Sequence, residues 1–184
     1  MAAFTTTPLY GGAMTVDLPS AFADTSQIRE VPDHQEVYLD TNGYSNIVIE
    51  ILEYVDKNSD EEALQYHFAD LVDGTGDETT VLKQEKCVFK NLGDKLALGL
   101  TFNQTPAPAP PGRKTPEFVY IHLLLLRLKE QGTDIMVTVN IPHYKGEYEE
   151  AKKGKETALM KDSGAIREKV LETLKVVEWG LFDG

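Results

Sequence analysis

The chain has 184 residues, of which 41% are hydrophobic, and its 30 acidic against 18 basic residues give a net charge of -12. This length and apolar content suffice for one domain with a buried core and exclude a disordered chain. The negative charge argues against nucleic acid as a partner and favours a basic protein, although acidity can also serve only to keep a protein soluble.

Cysteine usage and hydropathy indicate an intracellular protein that is not inserted in a membrane. Cys87 is the only cysteine, so no internal disulfide is possible. It lies within a predicted strand and not at a helix start, which favours a small buried hydrophobe over a nucleophile. Residues 1–10 lack the pattern of a secretory signal, and the longest apolar run, 118–126, is well short of the roughly 20 residues of a membrane helix.

The first elements are short. Two glycines in residues 8–13 predict a tight turn rather than a phosphate loop, because neither GxGxxG nor GxxxxGK[ST] surrounds them. Residues 14–18 alternate like a strand that Pro19 ends. Residues 24–28 predict a helical turn capped by Asp24 or Thr25.

A polar stretch around Pro32, which we call the elbow (residues 29–36), follows. Pro32 fixes its own φ and pushes Val31 towards extended geometry, so the backbone here is stiff. Asp33 and Glu36 stand on this support. Alternation along a strand at 35–40 places Glu36 and Val37 on opposite faces, and we expect the face of Glu36 to be the more solvent-exposed one.

The elbow leads into a predicted hairpin. Asn42-Gly43 is a strong signal for a two-residue turn, so the strand at 46–54 should pair antiparallel with the strand at 35–40. The run from Ile47 to Leu52 is almost continuously apolar, which indicates cover on both faces.

Two amphipathic helices are predicted. A capping box formed by Ser59 and Glu62 starts the first helix, which Gly74 ends. His67 lies beside its buried stripe, and we interpret it as a packing residue rather than a metal ligand, because no second ligand stands at metal-binding spacing. The second helix is predicted at 163–176, and the apolar residues after it either fold back onto the core or contact a partner. These residues are Trp179, Leu181 and Phe182.

Further strands are predicted at 80–89, 96–102, 117–129 and 134–141. The sum is an α+β domain with a central, mostly antiparallel sheet of about six strands covered by helices on both faces. We expect a single domain over 1–184, with an ordered core at about 8–182 and exposed loops at about 104–116 and 144–162. The prolines at 106–111 predict a stiff connection, with docking into an aromatic groove as the alternative.

No catalytic motif is present: GxSxG, HExxH, a Walker loop and paired CxxC are all missing. We therefore predict no catalytic residue, no cofactor and no metal. Asp33 and Glu36 make poor candidates for an acid/base pair, because a general acid needs a pKa raised by burial and a polar elbow offers little burial.

Four stretches together resemble the Ran guanine nucleotide release factors, which are the Mog-type nuclear import factors. The stretches are residues 8–13, 29–38, 47–53 and 66–71, and the likeness returns at 125–128, 133–135 and 181–182. The resemblance implies an antiparallel sheet between helices, a fold shared with the PsbP subunit of photosystem II. It also implies binding to the small GTPase Ran with loss of bound GTP, in the nucleus and also the cytoplasm.

The same resemblance assigns the site. The acids that family members use to hold Ran match Asp33 and Glu36, with neighbours Arg29, Glu30, His34 and Gln35. We expect a monomer that binds neither nucleic acid nor membrane. The alternatives are a PsbP-like structural subunit without exchange activity and a small unrecognised enzyme; the first should carry an Arg-rich transit segment and the second a pocket with convergent polar groups.

Overall fold

The most apolar runs of the chain form the middle of a seven-stranded antiparallel sheet in a computed structural model that describes residues 3–183. The order of strands across this central sheet is β3-β4-β5-β9-β8-β7-β6. The strands are β3 (Phe22–Asp24), β4 (Gln35–Asp40), β5 (Asn46–Glu53), β6 (Glu78–Phe89), β7 (Lys95–Thr105), β8 (Phe118–Leu128) and β9 (Thr133–His143).

A second, three-stranded antiparallel sheet and two helices cover the central sheet. The small sheet has the order β1-β2-β10, with β1 at Phe4–Leu9, β2 at Met14–Pro19 and β10 at Lys175–Val176. The helices are α1 (Asp60–Val72) and α2 (Ala158–Thr173). The predicted α+β fold with an antiparallel sheet between helices is therefore confirmed, with seven central strands rather than about six.

The core lies in two clusters, one on each face of the central sheet. In β8, Leu124 and Leu126 face the cluster shared with α2 and the small sheet, while Leu123 and Leu125 face the cluster shared with α1. All four side chains are buried. The apolar run in β8 thus has cover on both faces, as its sequence predicted.

The helix ends follow their caps. The Ser59 hydroxyl accepts from the Glu62 amide at 3.1 Å, which confirms the predicted start of α1. The prediction for α2 was wrong by five residues at its start, because the Thr157 hydroxyl accepts from the Met160 amide at 3.1 Å and caps the helix there. At its other end α2 stops at Thr173, since Lys175–Val176 pair with β2 instead.

Candidate functional site

The elbow follows β3 and the 3-10 helix after it, and its last two residues, Gln35 and Glu36, begin β4. Local hydrogen bonds fix the conformation of its backbone. Asp24 caps the 3-10 helix Thr25–Gln27 by accepting from the Ser26 amide at 2.9 Å, as predicted. The Gln35 amide then donates to the Pro32 carbonyl at 2.9 Å, which closes a turn at the start of β4. The stiff geometry around Pro32 is thus continued by a hydrogen-bonded turn.

Tyr10 joins the elbow to the rest of the fold. Its hydroxyl lies 3.0 Å from the His34 carbonyl and 2.9 Å from the Ile49 carbonyl. The Ile51 amide also donates to the His34 carbonyl at 2.9 Å. The base of the elbow is therefore held from the 3-10 turn Tyr10–Gly12 on one side and from β5 on the other.

Glu36 is half-buried, and it does not lie on a distinctly wetter face of β4. Its Oε1 accepts from the Tyr10 amide at 2.6 Å. Both faces of the strand are covered: Val37 on one face is 4% exposed, and Tyr38 on the face of Glu36 is 7% exposed within the core cluster of the small sheet. Alternation separates the two faces of a strand, but the cover that the β1–β2 hairpin adds over the Glu36 face is not readable from β4.

The charge state of Glu36 follows from this position. Partial burial raises the pKa of the Glu36 carboxyl, the Tyr10 amide lowers it, and the nearby charge of Asp24 raises it further, with a net upward shift. Within residues 3–183 the second carboxylate oxygen, Oε2, has no hydrogen-bond partner. Oε1 thus anchors the elbow, while Oε2 can still accept a hydrogen bond.

Asp33 is exposed at the tip of the turn. No hydrogen bond or ion pair to its side chain occurs in the part of the chain that the structure describes, and the same holds for Arg29 and Glu30, which are also exposed. Their charges are therefore presented to solvent rather than used internally.

His34 and Gln35 turn back towards the fold. Gln35 Nε2 donates to Glu50 Oε2 at 3.1 Å, and His34 Nε2 lies 3.7 Å from the same oxygen. The structure therefore brings Glu36, His34 and Gln35 together around β5 and Tyr10, while Asp33, Arg29 and Glu30 project from the elbow.

Sequence reasoning missed Tyr10 and Glu50 as supports. Tyr10 has a φ of 50°, which is uncommon for a residue other than glycine and is maintained here by its bonds to the elbow. Burial and the charges of Glu36 and Glu50 raise the pKa of its hydroxyl, so Tyr10 stays a neutral donor. The available signal was that residues 8–13 belong to the same resemblance as the elbow.

A separate cavity of about 670 Å³ lies between β6–β8 and α2. Thr101 and His122 line it, and together with the fully buried Ser163 they come closest to an enzyme site. Ser163 Oγ donates to the Met160 carbonyl at 2.6 Å, so it accepts from His122 Nε2 at 3.0 Å, and Thr101 donates to His122 Nδ1 at 2.9 Å. Burial and the charge of Arg167 lower the pKa of His122 to about 4. This polarity is opposite to that of a histidine that activates a serine.

Neither the cysteine nor the metal-binding residue types indicate a reactive site. Burial raises the pKa of the Cys87 thiol to about 11, which fits the interpretation of this residue as a small buried hydrophobe. Across residues 3–183 no group of three or more His, Cys, Asp or Glu side chains is arranged to hold a metal ion. Neither helix in that range has the length and apolarity of a membrane span.

The arrangement of strands and helices places the chain in a known fold class. The chain shares its fold with the cyanobacterial PsbP protein of Synechocystis, with a TM-score of 0.58 over 96% of this chain and 94% of that one at 10% identity. At that identity the likeness concerns the fold alone. The class is therefore that of α+β proteins with a PsbP-like antiparallel sheet.

Within this class, the chain belongs to the family described as Ran-interacting Mog1 protein, whose model matches residues 7–142. The Saccharomyces cerevisiae Nuclear import protein MOG1 is 31% identical over 95% of this chain and 83% of its own length. The Danio rerio Ran guanine nucleotide release factor is 28% identical over 95% of this chain and 98% of its own. The crystal structure of the yeast Ran-binding protein Mog1p gives a TM-score of 0.79 at 26% identity, covering 99% and 100% of the two chains.

Proposed function

We propose that this protein binds the small GTPase Ran and promotes release of its guanine nucleotide, and thereby supports protein import into the nucleus. Membership of the Ran-interacting family and the names of the relatives support this function. The main support for the site is the elbow itself: within residues 3–183 the Asp33 side chain and Glu36 Oε2 have no hydrogen-bond partner, and the backbone is held by Tyr10 and β5. Asp33 and Glu36 are the Ran-binding acids, with Arg29, Glu30, His34 and Gln35 as their neighbours.

Binding through this elbow needs little reorganisation. Charge-assisted hydrogen bonds from Lys or Arg of the GTPase reach Asp33 and the open oxygen of Glu36. Because the turn at Pro32–Gln35 is already closed, the elbow loses little conformational entropy when the partner docks. The free energy of the new ion pairs therefore goes into affinity.

Release follows from reciprocal coupling. A GTPase holds its nucleotide with loop amides, a lysine and a magnesium ion, and a release factor stabilises a state in which some of these are withdrawn. If the factor weakens nucleotide binding a hundredfold, the nucleotide weakens the factor equally, which corresponds to about 2.7 kcal/mol of coupling. The protein acts in this scheme as a binding regulator and not as a catalyst of covalent chemistry.

The same scheme covers the oligomeric state, cofactor requirement and location of the protein. The chain works as a single domain and as a monomer, needs no cofactor, and binds Ran in the nucleus and the cytoplasm. His122, which is neutral and held between Thr101 and Ser163 beside the cavity described above, favours this function over that of an unrecognised enzyme. The family match favours it over a PsbP-like structural subunit.

The test is the rate of fluorescent GTP release from Ran with and without the protein. We expect the double variant Asp33→Lys with Glu36→Gln to lose most of the acceleration, because it reverses one charge and removes the other while glutamine can still accept from the Tyr10 amide. The matched control is Glu149→Lys with Glu150→Gln, which changes the net charge equally at two exposed acids of the loop before α2. Release by the elbow variant at the wild-type rate would refute the site.

A further inference from the structure

The segment after β10, residues 177–182, leaves two large apolar side chains partly in solvent. Trp179 is 45% and Val177 56% exposed, whereas Leu181 and Phe182 pack against the core. The segment is nevertheless ordered: it forms the 3-10 helix Trp179–Phe182, capped by Glu178, which accepts from the Gly180 amide at 3.3 Å. Trp179 also packs on Phe182, with ring centroids 5.8 Å apart.

This segment is bonded to the same turn that holds the elbow. The Ala13 carbonyl accepts from the amides of Val177 at 2.8 Å and Glu178 at 3.0 Å. The Ala13 amide donates to the Tyr10 carbonyl at 3.3 Å, and the Tyr10 amide donates to Glu36 at 2.6 Å. Three hydrogen-bonded steps thus lead from Glu178 to Glu36.

This hydrogen-bonded path is shorter than the width of a typical protein interface. Hydrogen-bonded backbone segments lie about 5–6 Å apart, so three such steps place the Trp179 turn within about 20 Å of Glu36. A protein interface of standard size covers about 800 Å² on each partner, which is a patch about 30 Å across. The distance therefore allows one partner centred on the region of Tyr10 and the elbow to contact Trp179 as well.

We propose that Trp179, with Val177 beside it, is the apolar anchor of the surface whose charged part is the elbow, and that its occupant is the GTPase. The inference rests on the proposed function and deepens it. Exposed ion pairs contribute little affinity each and mainly steer and orient a partner, whereas a pre-organised tryptophan is the kind of residue that carries binding energy. The anchor lies outside residues 7–142, so the family match does not include it.

The first test compares two exposed aromatic residues. Trp179→Ala weakens binding to nucleotide-free Ran at least tenfold, as expected for a hot-spot residue. The control is Tyr66→Ala, because Tyr66 is equally exposed at 47% but lies on α1, which packs on the opposite face of the central sheet. We expect its affinity to stay within about twofold of wild type. Circular dichroism spectra of both variants are recorded to confirm the fold.

The second test reads the contact in the unmutated chain. Trp179 is the only tryptophan, so protein labelled with 5-fluorotryptophan has a single ¹⁹F resonance. Saturating unlabelled Ran shifts this resonance and removes its solvent-isotope effect if the ring becomes buried. The anchor alone is overturned if the wild-type chain binds Ran and the elbow variant does not, but the resonance stays unchanged on binding. Wild-type affinity of Trp179→Ala under the same conditions overturns it as well. Absence of any Ran binding by the wild-type chain overturns the proposed function and the anchor together.

Discussion

At the scale of single residues, Glu36 combines two tasks that compete for its carboxylate. Its Oε1 accepts from the Tyr10 amide and thereby fixes the elbow, and its Oε2, which has no hydrogen-bond partner within residues 3–183, is the oxygen that binds Ran in the proposed complex. Partial burial disfavours the ionised form that both tasks use, which is why the pKa of this group is raised. In the proposed complex a basic group of Ran offsets this cost, so binding favours the ionised carboxylate.

Glu36 therefore makes a measurable contribution to the pH dependence of stability. Its folded pKa lies above the ordinary value of 4.5, so its contribution is fully present below pH 4.5 and is lost as the pH rises through the folded pKa. We expect Glu36→Gln to become more stable relative to wild type across this window and then to keep a constant difference. Urea unfolding at a series of pH values measures it, and a difference independent of pH would contradict the burial of Glu36.

At the scale of secondary structure elements, a buried network fixes α1 to the end of the β8–β9 hairpin. Asp134, with a fully buried side chain, accepts from His67 Nε2 at 2.8 Å, the Val55 amide at 3.2 Å and Arg127 Nε at 3.1 Å. Burial alone raises the pKa of Asp134, but these hydrogen bonds and the Arg127 charge outweigh it and lower the pKa overall. His67 thus proves to be a buried, hydrogen-bonded residue rather than a merely packed one.

The network predicts a large difference between two acids that bind one arginine. Asp134→Ala leaves Arg127 and His67 without their buried partner and should cost about 3–5 kcal/mol in unfolding free energy. Asp60 also pairs with Arg127, at 3.2 Å, but its side chain is 63% exposed, so Asp60→Ala should cost about 1 kcal/mol or less. Chemical denaturation of both variants gives the comparison, and equal losses would contradict the network.

At the scale of the whole molecule, the net charge of -12 acts on the approach of a partner rather than on the fold. An acidic protein attracts a basic surface over about a Debye length, which shrinks as salt is added. In the proposed complex the elbow and its neighbouring acids then orient the docked partner, and the exposed apolar residues supply contact area.

The charge predicts how salt alters the kinetics of Ran binding. Raising the salt concentration from about 0.05 to about 0.5 M should slow association about tenfold or more and change dissociation much less, because screening acts on the approach. Surface plasmon resonance with immobilised nucleotide-free Ran measures both rates. An association rate that ignores salt would show that the negative charge plays no part in steering.

The sequence by itself determined most strands of the central sheet, the presence of both helices and much of the fold class. The Asn42-Gly43 pair, the Ser59 cap and the apolar run in β8 are local patterns, and they predicted the hairpin, α1 and a sheet covered on both faces. The predicted two-residue turn was too short, because β4 ends at Asp40 and β5 begins only at Asn46. Asp33 and Glu36 entered as candidates from their stiff setting at Pro32 and from the family resemblance. Their role in binding stays a prediction.

Only the tertiary structure decided that both faces of β4 are covered, what Tyr10 does and where His67 finds its partner. These contacts join residues that are 26 and 67 positions apart, and nothing in a short window of sequence specifies them. The same holds for the hydrogen bond from the Glu178 amide to the Ala13 carbonyl, which links the segment of Trp179 to the turn that contains Tyr10. The physical reason is that these contacts form only when the small sheet, the central sheet and the elbow are packed together, so no local stretch of sequence specifies them.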